Sequence, residues 1–247
     1  MFKAEIDANT FGEVIDVISA LVNECRIHIN DEGISTRAVD AANVAMVSVS
    51  LGNGAFNAFS AETCEVGFDV KKLRNIAGMM NKADNVNLLL PESSQKLELS
   101  FAEYKYSVTL LDPNTIRKDP NPPQLDLPAR VVIPGDALHS AIKAAAVVSD
   151  KIAFVIDPDS ESFIMEAEGD TDHITKEMKK GDLISITPVK CRSLFSIDYL
   201  KEIGKVMSGA SSVEIFMGTD HPVRFLFNFA DSKGHAEYLL APRIEAD

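Results

Sequence analysis

The sequence predicts an α+β protein built from two copies of one domain. Three observations predict it. Similar segments recur at a nearly constant spacing, each copy combines two helical patterns with several strand-length apolar runs, and a proline-bearing segment separates the copies. We expect a first domain over residues 1–110, a connecting loop over 111–128 and a second domain over 129–247.

Three pairs of similar segments carry the repeat. They lie 126 or 127 residues apart, and they are Leu21–Asp31 with Val147–Asp157, Phe68–Met80 with Ser196–Met207, and Lys96–Phe101 with Pro222–Phe227. The first pair aligns Ile29 with Val155, and the second aligns Leu73 with Leu200. One spacing over most of the chain indicates an old duplication.

Each copy shows the same sequence of elements. Phe11, Val14, Ile15 and Ile18 recur at helical spacing, and Asn53-Gly54 is typical of a hairpin turn. The remaining predicted helices are Val70–Met80, Asp136–Val148 and Ile197–Met207. The first-copy strands that we predict are Arg26–Asn30, Val44–Leu51, Val86–Leu90, Lys96–Phe101 and Lys105–Leu111.

The segment from Leu111 to Pro128 carries five prolines, which exclude a regular helix or a central strand. We expect an extended connector, and loops of this length are usually either functional or disordered. Leu125 and Leu127 near its end would pin it to the body of the protein.

Composition and charge indicate a folded protein of the cytoplasm, or of the nucleus in a eukaryote. The formal net charge is −13, and no apolar run reaches the roughly 20 residues of a membrane span. Acidic excess favours solubility in a salt-rich cytoplasm, such as that of a halophilic archaeon. Cys25, Cys64 and Cys191 fit no metal-ligand spacing, so we expect reduced thiols, no metal and no cofactor.

Three segments resemble the sliding clamps of DNA replication, specifically the archaeal form of the proliferating cell nuclear antigen family. They are Gly33–Leu51, Gln124–Pro128 and the C-terminal Tyr238–Glu245. The resemblance implies the clamp fold, with strands outside and helices lining a ring channel. It also implies a homotrimer that encircles double-stranded DNA, performs no catalysis, and tethers DNA polymerase and other replication and repair enzymes. A clamp loader would open the ring, which in an archaeon would lie in the cytoplasm in association with the nucleoid.

The same resemblance implies a groove for a short clamp-binding motif (the PIP-box type) carried by client proteins. The matching positions are mostly apolar, as an anchor-in-pocket site requires: Val39, Asn43, Val44, Met46, Leu125, Leu127, Pro222, Leu239, Leu240, Ala241 and Pro242. Leu239 stands where the family often has an aromatic residue, so the shape of the pocket should differ.

Four helices would turn basic faces toward DNA in the channel. The candidates are Lys71, Lys72, Arg74, Lys82, His139, Lys143, Lys201 and Lys205. The first helix instead carries Glu13 and Asp16. We therefore expect the ring to hold DNA mainly by enclosure, with a shallow dependence of affinity on salt.

Ring closure would pair two edge strands of neighbouring subunits, head to tail. The expected interface residues are Tyr104, Tyr106, Val108 and Leu110 on one edge, and His173, Ile174, Lys176 and Met178 on the other. Lys176, Lys179 and Lys180 could add ionic attraction to an otherwise acidic neighbour.

Three alternatives remain open at this stage. An enzyme is one, since Asp157, Asp159 and Glu161 are spaced like metal ligands, but they lack the glycine of a calcium loop. Asp170, Asp172 and His173 have no accompanying nucleophile. The others are a subunit of a heteromeric clamp-like ring and a stand-alone peptide-binding adaptor.

Overall fold

A computed structural model describes residues 1–244 of the chain. The chain forms two compact units. Unit 1 comprises Met1–Ala41, Val47–Asn121 and Asn228–Ala236. Unit 2 comprises Ala42–Met46, Pro122–Phe227 and the C-terminal segment from Glu237. Glu245, the last residue of the predicted C-terminal signature, lies outside the described residues.

The first half of the chain contains two helices and nine strands. The helices are α1 (Ala8–Ser19) and α2 (Val70–Ala77), and α1 packs beside α2. The strands are β1 (Phe2–Asp7), β2 (Glu24–Asn30), β3 (Gly33–Val39), β4 (Ala45–Gly52), β5 (Ala58–Ala61), β6 (Cys64–Asp69), β7 (Asn85–Leu90), β8 (Lys96–Phe101) and β9 (Tyr104–Thr109). Unit 1 holds a five-stranded sheet in the order β5-β1-β7-β8-β9, and a second group in the order β4-β3-β2-β6.

The second half repeats this plan. The helices are α3 (Gly135–Ala145) and α4 (Ile197–Met207), which pack together. The strands are β10 (Ala129–Ile133), β11 (Lys151–Asp157), β12 (Ser162–Glu168), β13 (His173–Lys179), β14 (Ser185–Thr187), β15 (Cys191–Ser196), β16 (Val213–Met217), β17 (Val223–Phe229) and β18 (Gly234–Leu240). Unit 2 holds a four-stranded sheet in the order β13-β12-β11-β15, and a second group in the order β14-β10-β16-β17-β18.

The predicted duplication is confirmed, because both halves read strand, helix, five strands, helix, three strands. One part of the predicted alignment is wrong by a residue. Ile29 corresponds to buried Ile156 at an offset of 127, and not to half-buried Val155. A one-residue slip moves a strand's side chains to the opposite face, so burial decides the register. The offset of 126 holds for β8 and β17, where Leu97 and Val223 are both buried.

Local sequence explains where the helices of unit 1 begin. Asp7 precedes α1, and its Oδ1 accepts the backbone N–H of Thr10 at 2.8 Å. Asp69 precedes α2, and its Oδ1 accepts the N–H of Lys72 at 2.8 Å. Each carboxylate satisfies a donor that the first helical turn leaves unpaired. The predicted α4 is observed with the same bounds, whereas α2 ends at Ala77, three residues before the predicted end.

The predicted hairpin at Asn53-Gly54 is wrong. Asn53–Ala55 forms a 3₁₀ turn that leads from β4 to β5, and β5 pairs with β1 instead of with β4. The chain therefore passes from one sheet to another at the Asn-Gly pair. A hairpin turn does occur over residues 158–161, where it joins the paired strands β11 and β12.

The first half of the connector is fixed to unit 1. Leu111 forms an isolated bridge with Gly67, and Ile116 is buried. The guanidinium of Arg26 donates to the carbonyl oxygen of Ile116 at 2.8 Å. After a 3₁₀ turn at Pro113–Thr115 the chain has no regular structure until β10 begins at Ala129.

Each unit has its own apolar core. In unit 1 the buried side chains include Ile6, Val17 and Ile18. In unit 2 Phe154 lies at the centre of an aromatic cluster, with ring centroids 5.3 Å from Phe195 and 5.5 Å from Phe163. No helix within residues 1–244 is long and apolar enough to cross a membrane.

Candidate functional site: partner groove, helix faces and strand edges

Unit 2 brings together most of the residues predicted for the partner groove. The N–H of Ala241 donates to the carbonyl oxygen of Val44 at 2.9 Å, which joins the C-terminal segment to residues 42–46. The connector passes close to the β16–β17 turn, since a Cβ at Gly218 would lie 3.5 Å from the carbonyl oxygen of Asp126. Residues 42–46, the end of the connector and the C-terminal segment therefore all belong to unit 2.

Burial divides the predicted groove residues into a floor and a surface. Leu240 is 0% exposed, and Met46 and Leu239 are also buried. The half-buried side chains are those of Val44, Leu125, Leu127, Pro222, Ala241 and Pro242, and Asn43 is exposed. Val39 is half-buried and belongs to unit 1.

The role predicted for Leu240 needs correction. Successive side chains of a strand point to opposite faces, so Leu240 and Tyr238 both enter the core, where each is 0% exposed. The Tyr238 ring stacks on Phe227 with centroids 5.8 Å apart. Leu240 therefore supports the floor of the groove from below and does not offer a contact surface.

The chain continues in a fixed path after Pro242. The N–H of Arg243 donates to the carbonyl oxygen of Leu194 at 2.7 Å, and its Nη1 lies 2.7 Å from Oδ2 of Asp150. The hydrogen bond from Arg243 lowers the pKa of the Asp150 carboxyl below its ordinary value. Arg243 thus fixes the apolar segment Leu239–Pro242 to the rest of unit 2.

The basic face of the unit 1 helices is partly neutralised. Lys71, Lys72 and Lys82 are exposed, and Lys82 follows the end of α2. Arg74, predicted to face DNA, has its Nε 3.0 Å from Oδ1 of Asp16 on α1. Asp16, one of the two acidic residues noted on the first helix, therefore has a partner within its own unit.

Glu13, the other acidic residue of α1, accepts the backbone N–H of Ala230 at 2.9 Å. Residues 230–232 have φ between 50° and 67°, so they form a left-handed turn. Glu13 satisfies a backbone donor of this unusual turn, which gives it a structural role.

The unit 2 helices keep their lysines available. Lys143, Lys201 and Lys205 are exposed, and they form no ion pair within residues 1–244. His139 differs, because its Nδ1 is buried without a hydrogen-bond partner, 3.7 Å from where a Cβ of Gly204 would stand. That nitrogen faces the packed α3–α4 contact, so the predicted phosphate contact could involve only the other ring nitrogen.

The two predicted interface strands are both edges. β9 is the last strand of the five-stranded sheet, and β13 is the last strand of the four-stranded sheet. Tyr104 is 52% exposed, His173 is exposed, and Tyr106, Leu110 and Ile174 are half-buried. Val108 and Met178 are buried and so anchor their strands inside their own units.

Two of the three lysines predicted to add ionic attraction already have partners within their own unit. Nζ of Lys176 donates to the carbonyl oxygen of Ala137 at 3.0 Å, and Lys180 pairs with Glu161 at 2.7 Å. Sequence reasoning also missed Met79, which is 52% exposed and accepts a hydrogen bond from Tyr106 Oη at 3.4 Å. The feature of the sequence that could have indicated Met79 is its place as an apolar residue just beyond a short amphipathic helix.

The acidic turn at Asp157 has a local structural explanation. The Oδ1 of Asp157 accepts the N–H of Asp159 at 3.0 Å, and its Oδ2 accepts the hydroxyl of Ser160 at 2.7 Å. These bonds lower the pKa of Asp157. The part of the chain that the structure describes contains no group of three or more His, Cys, Asp and Glu side chains that could hold a metal ion.

Comparison with known proteins decides the family. A DNA polymerase sliding clamp of Methanoculleus marisnigri is 60% identical over 247 residues, which is 100% of both chains. The chain belongs to the proliferating cell nuclear antigen family. The family model for the N-terminal domain of proliferating cell nuclear antigen matches residues 1–112.

Two further relatives of this family agree. A DNA polymerase sliding clamp of Methanosphaerula palustris is 58% identical over the full length of both chains. The solved structure described as the C-terminal region of FEN-1 bound to A. fulgidus PCNA superposes with a TM-score of 0.94, at 38% identity and 100% coverage of both chains. The predicted family, the duplicated α+β clamp fold and the sliding-clamp function are confirmed.

Proposed function

We propose that this chain closes into a homotrimeric ring around duplex DNA and tethers DNA polymerase and other replication and repair enzymes to it. The ring performs no catalysis, and a clamp loader opens it. It acts on the DNA of an archaeal cytoplasm. The strands would form the outer layer of the ring, and the four helices would line its channel.

The observation that carries the ring is the pair of exposed edge strands, one in each unit. β9 and β13 have six and seven residues, and each has a free edge within the described chain. An edge strand exposes unpaired backbone N–H and C=O groups that another chain can satisfy. Because the two edges differ, pairing is head to tail and generates a closed ring when the rotation permits.

Light scattering after size exclusion tests the assembly. Three chains of 26.9 kDa give 80.7 kDa, which we expect for the wild type in molar salt. Ile174→Glu places a charge on the β13 edge and should produce a monomer of 26.9 kDa. Ile184→Glu is the matched control, because Ile184 is 56% exposed in the same unit but lies outside β13.

The result separates the alternatives. A wild-type monomer at every salt concentration would overturn the homotrimer and leave the heteromeric ring or the peptide adaptor. A trimer that dissociates only in low salt would show that the −13 charge of each subunit must be screened, as expected for a protein of a salt-rich cytoplasm.

The groove is proposed to bind short client motifs. Its support is the set of half-buried apolar residues over the buried floor of Met46 and Leu239, which Leu240 supports from below. A peptide of the FEN-1 C-terminal region should bind the wild type, and Leu127→Asp should abolish binding without changing the molar mass. Normal affinity of Leu127→Asp would move the client site elsewhere.

A further inference from the structure

One arginine next to the proposed groove lacks an anionic partner. Arg224 lies on β17 between Val223 and Phe225, which are both 0% exposed, so its side chain points to the opposite, outer face. It is half-buried there, and its Nε is buried without a hydrogen-bond partner. Burying part of a charge without compensation is unfavourable, so a chain rarely leaves such a group unused.

The position of this guanidinium is fixed by an aromatic ring. The Cζ of Arg224 lies 4.5 Å from the ring centroid of Phe216, its register partner on β16. Stacking over an aromatic face is favourable and holds the planar donor group in one orientation. The guanidinium of Arg224 is therefore already ordered before any ligand binds.

A second arginine on the same ring provides an internal comparison. Arg130 lies 5.9 Å from the Phe216 centroid, but its Nη2 is 2.7 Å from Glu214 Oε2, and its Nη1 donates to the hydroxyl of Ser185 at 3.0 Å. Arg130 is thus neutralised within the unit. Of the two guanidiniums stacked on Phe216, Arg224 is the one that lacks an anion.

The predicted groove residue Pro222 lies close to Arg224 along the chain. Pro222 immediately precedes β17, and two residues of extended chain span roughly 7 Å. A peptide that contacts Pro222 would carry its neighbouring residues past Arg224. The guanidinium fork matches a carboxylate with two parallel hydrogen bonds.

We propose that Arg224, ordered by Phe216, binds a carboxylate side chain of the client peptide and so selects clients with an acidic residue beside the apolar anchors. This inference rests on the proposed groove. Arg224 is a strand residue outside the helices that carry the channel lysines, so a peptide carboxylate is favoured over a DNA phosphate.

A positional scan tests the inference. The probe is the FEN-1 C-terminal peptide with its own acidic residues changed to amides, and then with a single Glu or Gln at each position outside its apolar anchors. We expect one position at which Glu binds wild type about threefold or more tighter than Gln. The preference should vanish in Arg224→Gln and persist partly in Arg224→Lys, which keeps the charge but loses the planar fork.

Arg192→Gln is the matched control. Arg192 is an exposed arginine of the same unit that lies 3.4 Å from Glu166, and its removal changes the net charge equally. No Glu preference at any position, or a preference that survives in Arg224→Gln, would overturn the role of Arg224. Reduced binding of duplex DNA by Arg224→Gln, with peptide selectivity unchanged, would assign the residue to phosphate instead. Failure of every peptide to bind wild type would instead overturn the groove itself.

Discussion

The two units share one order of elements but use corresponding positions differently. Ala8 and Gly135 each begin the first helix of a repeat, and each N–H donates to a loop carbonyl, of Asp84 at 2.9 Å and of Ala210 at 3.1 Å. Unit 1 tolerates a Cβ there. In unit 2 a Cβ on Gly135 would lie 1.9 Å from the carbonyl oxygen of Met207. A common plan therefore does not make equivalent positions interchangeable.

The largest expected effect comes from adding that Cβ. Gly135→Ala should lower the free energy of unfolding by about 2–3 kcal/mol or more, because a backbone carbonyl must move to make room. The reverse change, Ala8→Gly, should cost less, about 1 kcal/mol, from lost helix propensity and from removal of a buried methyl group. Denaturant unfolding of the two variants measures the difference.

Equal costs for the two substitutions would contradict this comparison. Gly12→Ala serves as a control, because its Cβ would have nothing within 4 Å. That variant should be neutral or slightly stabilising, since alanine has the higher helix propensity.

The helix faces should differ in their contribution to DNA binding. We expect Lys201→Gln with Lys205→Gln to reduce the salt slope of duplex affinity by about two, if each lysine neutralises one phosphate. Arg74→Gln should have a smaller effect than Lys72→Gln, because Asp16 already pairs with Arg74 at 3.0 Å. Affinity measured at several salt concentrations checks both statements.

A larger loss of DNA affinity from Arg74→Gln than from Lys72→Gln would show that Arg74 leaves Asp16 when DNA binds. The variant Asp16→Asn sharpens this test. It frees Arg74 and should raise affinity, while the loss of an exposed ion pair should cost about 1 kcal/mol of stability or less.

The sequence predicted the repeat and the helices because hydrophobic periodicity follows directly from burial. It predicted less well wherever one residue's role depends on a distant partner. The pairing of Asp16 with Arg74 spans 58 positions, and Glu13 reaches Ala230 over 217. Leu240 was expected to line the groove, although its side chain enters the core on the same face of β18 as Tyr238.

The site illustrates the same limit. Family resemblance supplied the apolar positions of the groove, yet Arg224 and Phe216 carry no motif. An arginine inside an apolar strand was the available signal, and only the register of β16 against β17 shows that the two side chains meet.

The cysteines at corresponding positions should react differently. Cys64 begins β6 and is half-buried, whereas Cys191 begins β15 and is buried. Burial raises the pKa of both thiols, and it raises the pKa of Cys25 to about 12. Because the thiolate is the reactive form, alkylation near pH 8 should modify Cys64 first.

Mass spectrometry of the time course measures the order of modification. Cys25 and Cys191 should react only as the protein opens. The rate of their modification should therefore increase in mild denaturant, while the rate for Cys64 changes little. Early modification of Cys191 in the native protein would show that β15 opens locally.

The smallest effect that we expect concerns the carboxylate of Asp150 in unit 2, because the corresponding residue of unit 1, Asn23, is uncharged. The backbone carbonyls of Asn23 and Asp150 both accept the first N–H of the following helix, of Val70 at 2.8 Å and of Ile197 at 2.9 Å. Their side chains differ, since the Asp150 carboxylate also binds Arg243. The C-terminal segment is therefore tied to unit 2 by a group that titrates.

The direction of the pH effect follows from the lowered pKa of Asp150. The ion pair of Asp150 with Arg243 contributes fully to the stability of the folded state above pH 3.8, the ordinary pKa of the carboxyl. This contribution is lost as the pH falls through the lower pKa of the folded state. Hydrogen-exchange protection of the Arg243 amide, corrected for the intrinsic rate, should decline over that range before the amide of Phe225 does. Asp150→Asn should show the weakened protection already at neutral pH, whereas Asn23→Asp should leave it unchanged. Full protection of Arg243 in Asp150→Asn would mean that its backbone bond to Leu194, at 2.7 Å, suffices to hold the C-terminal segment.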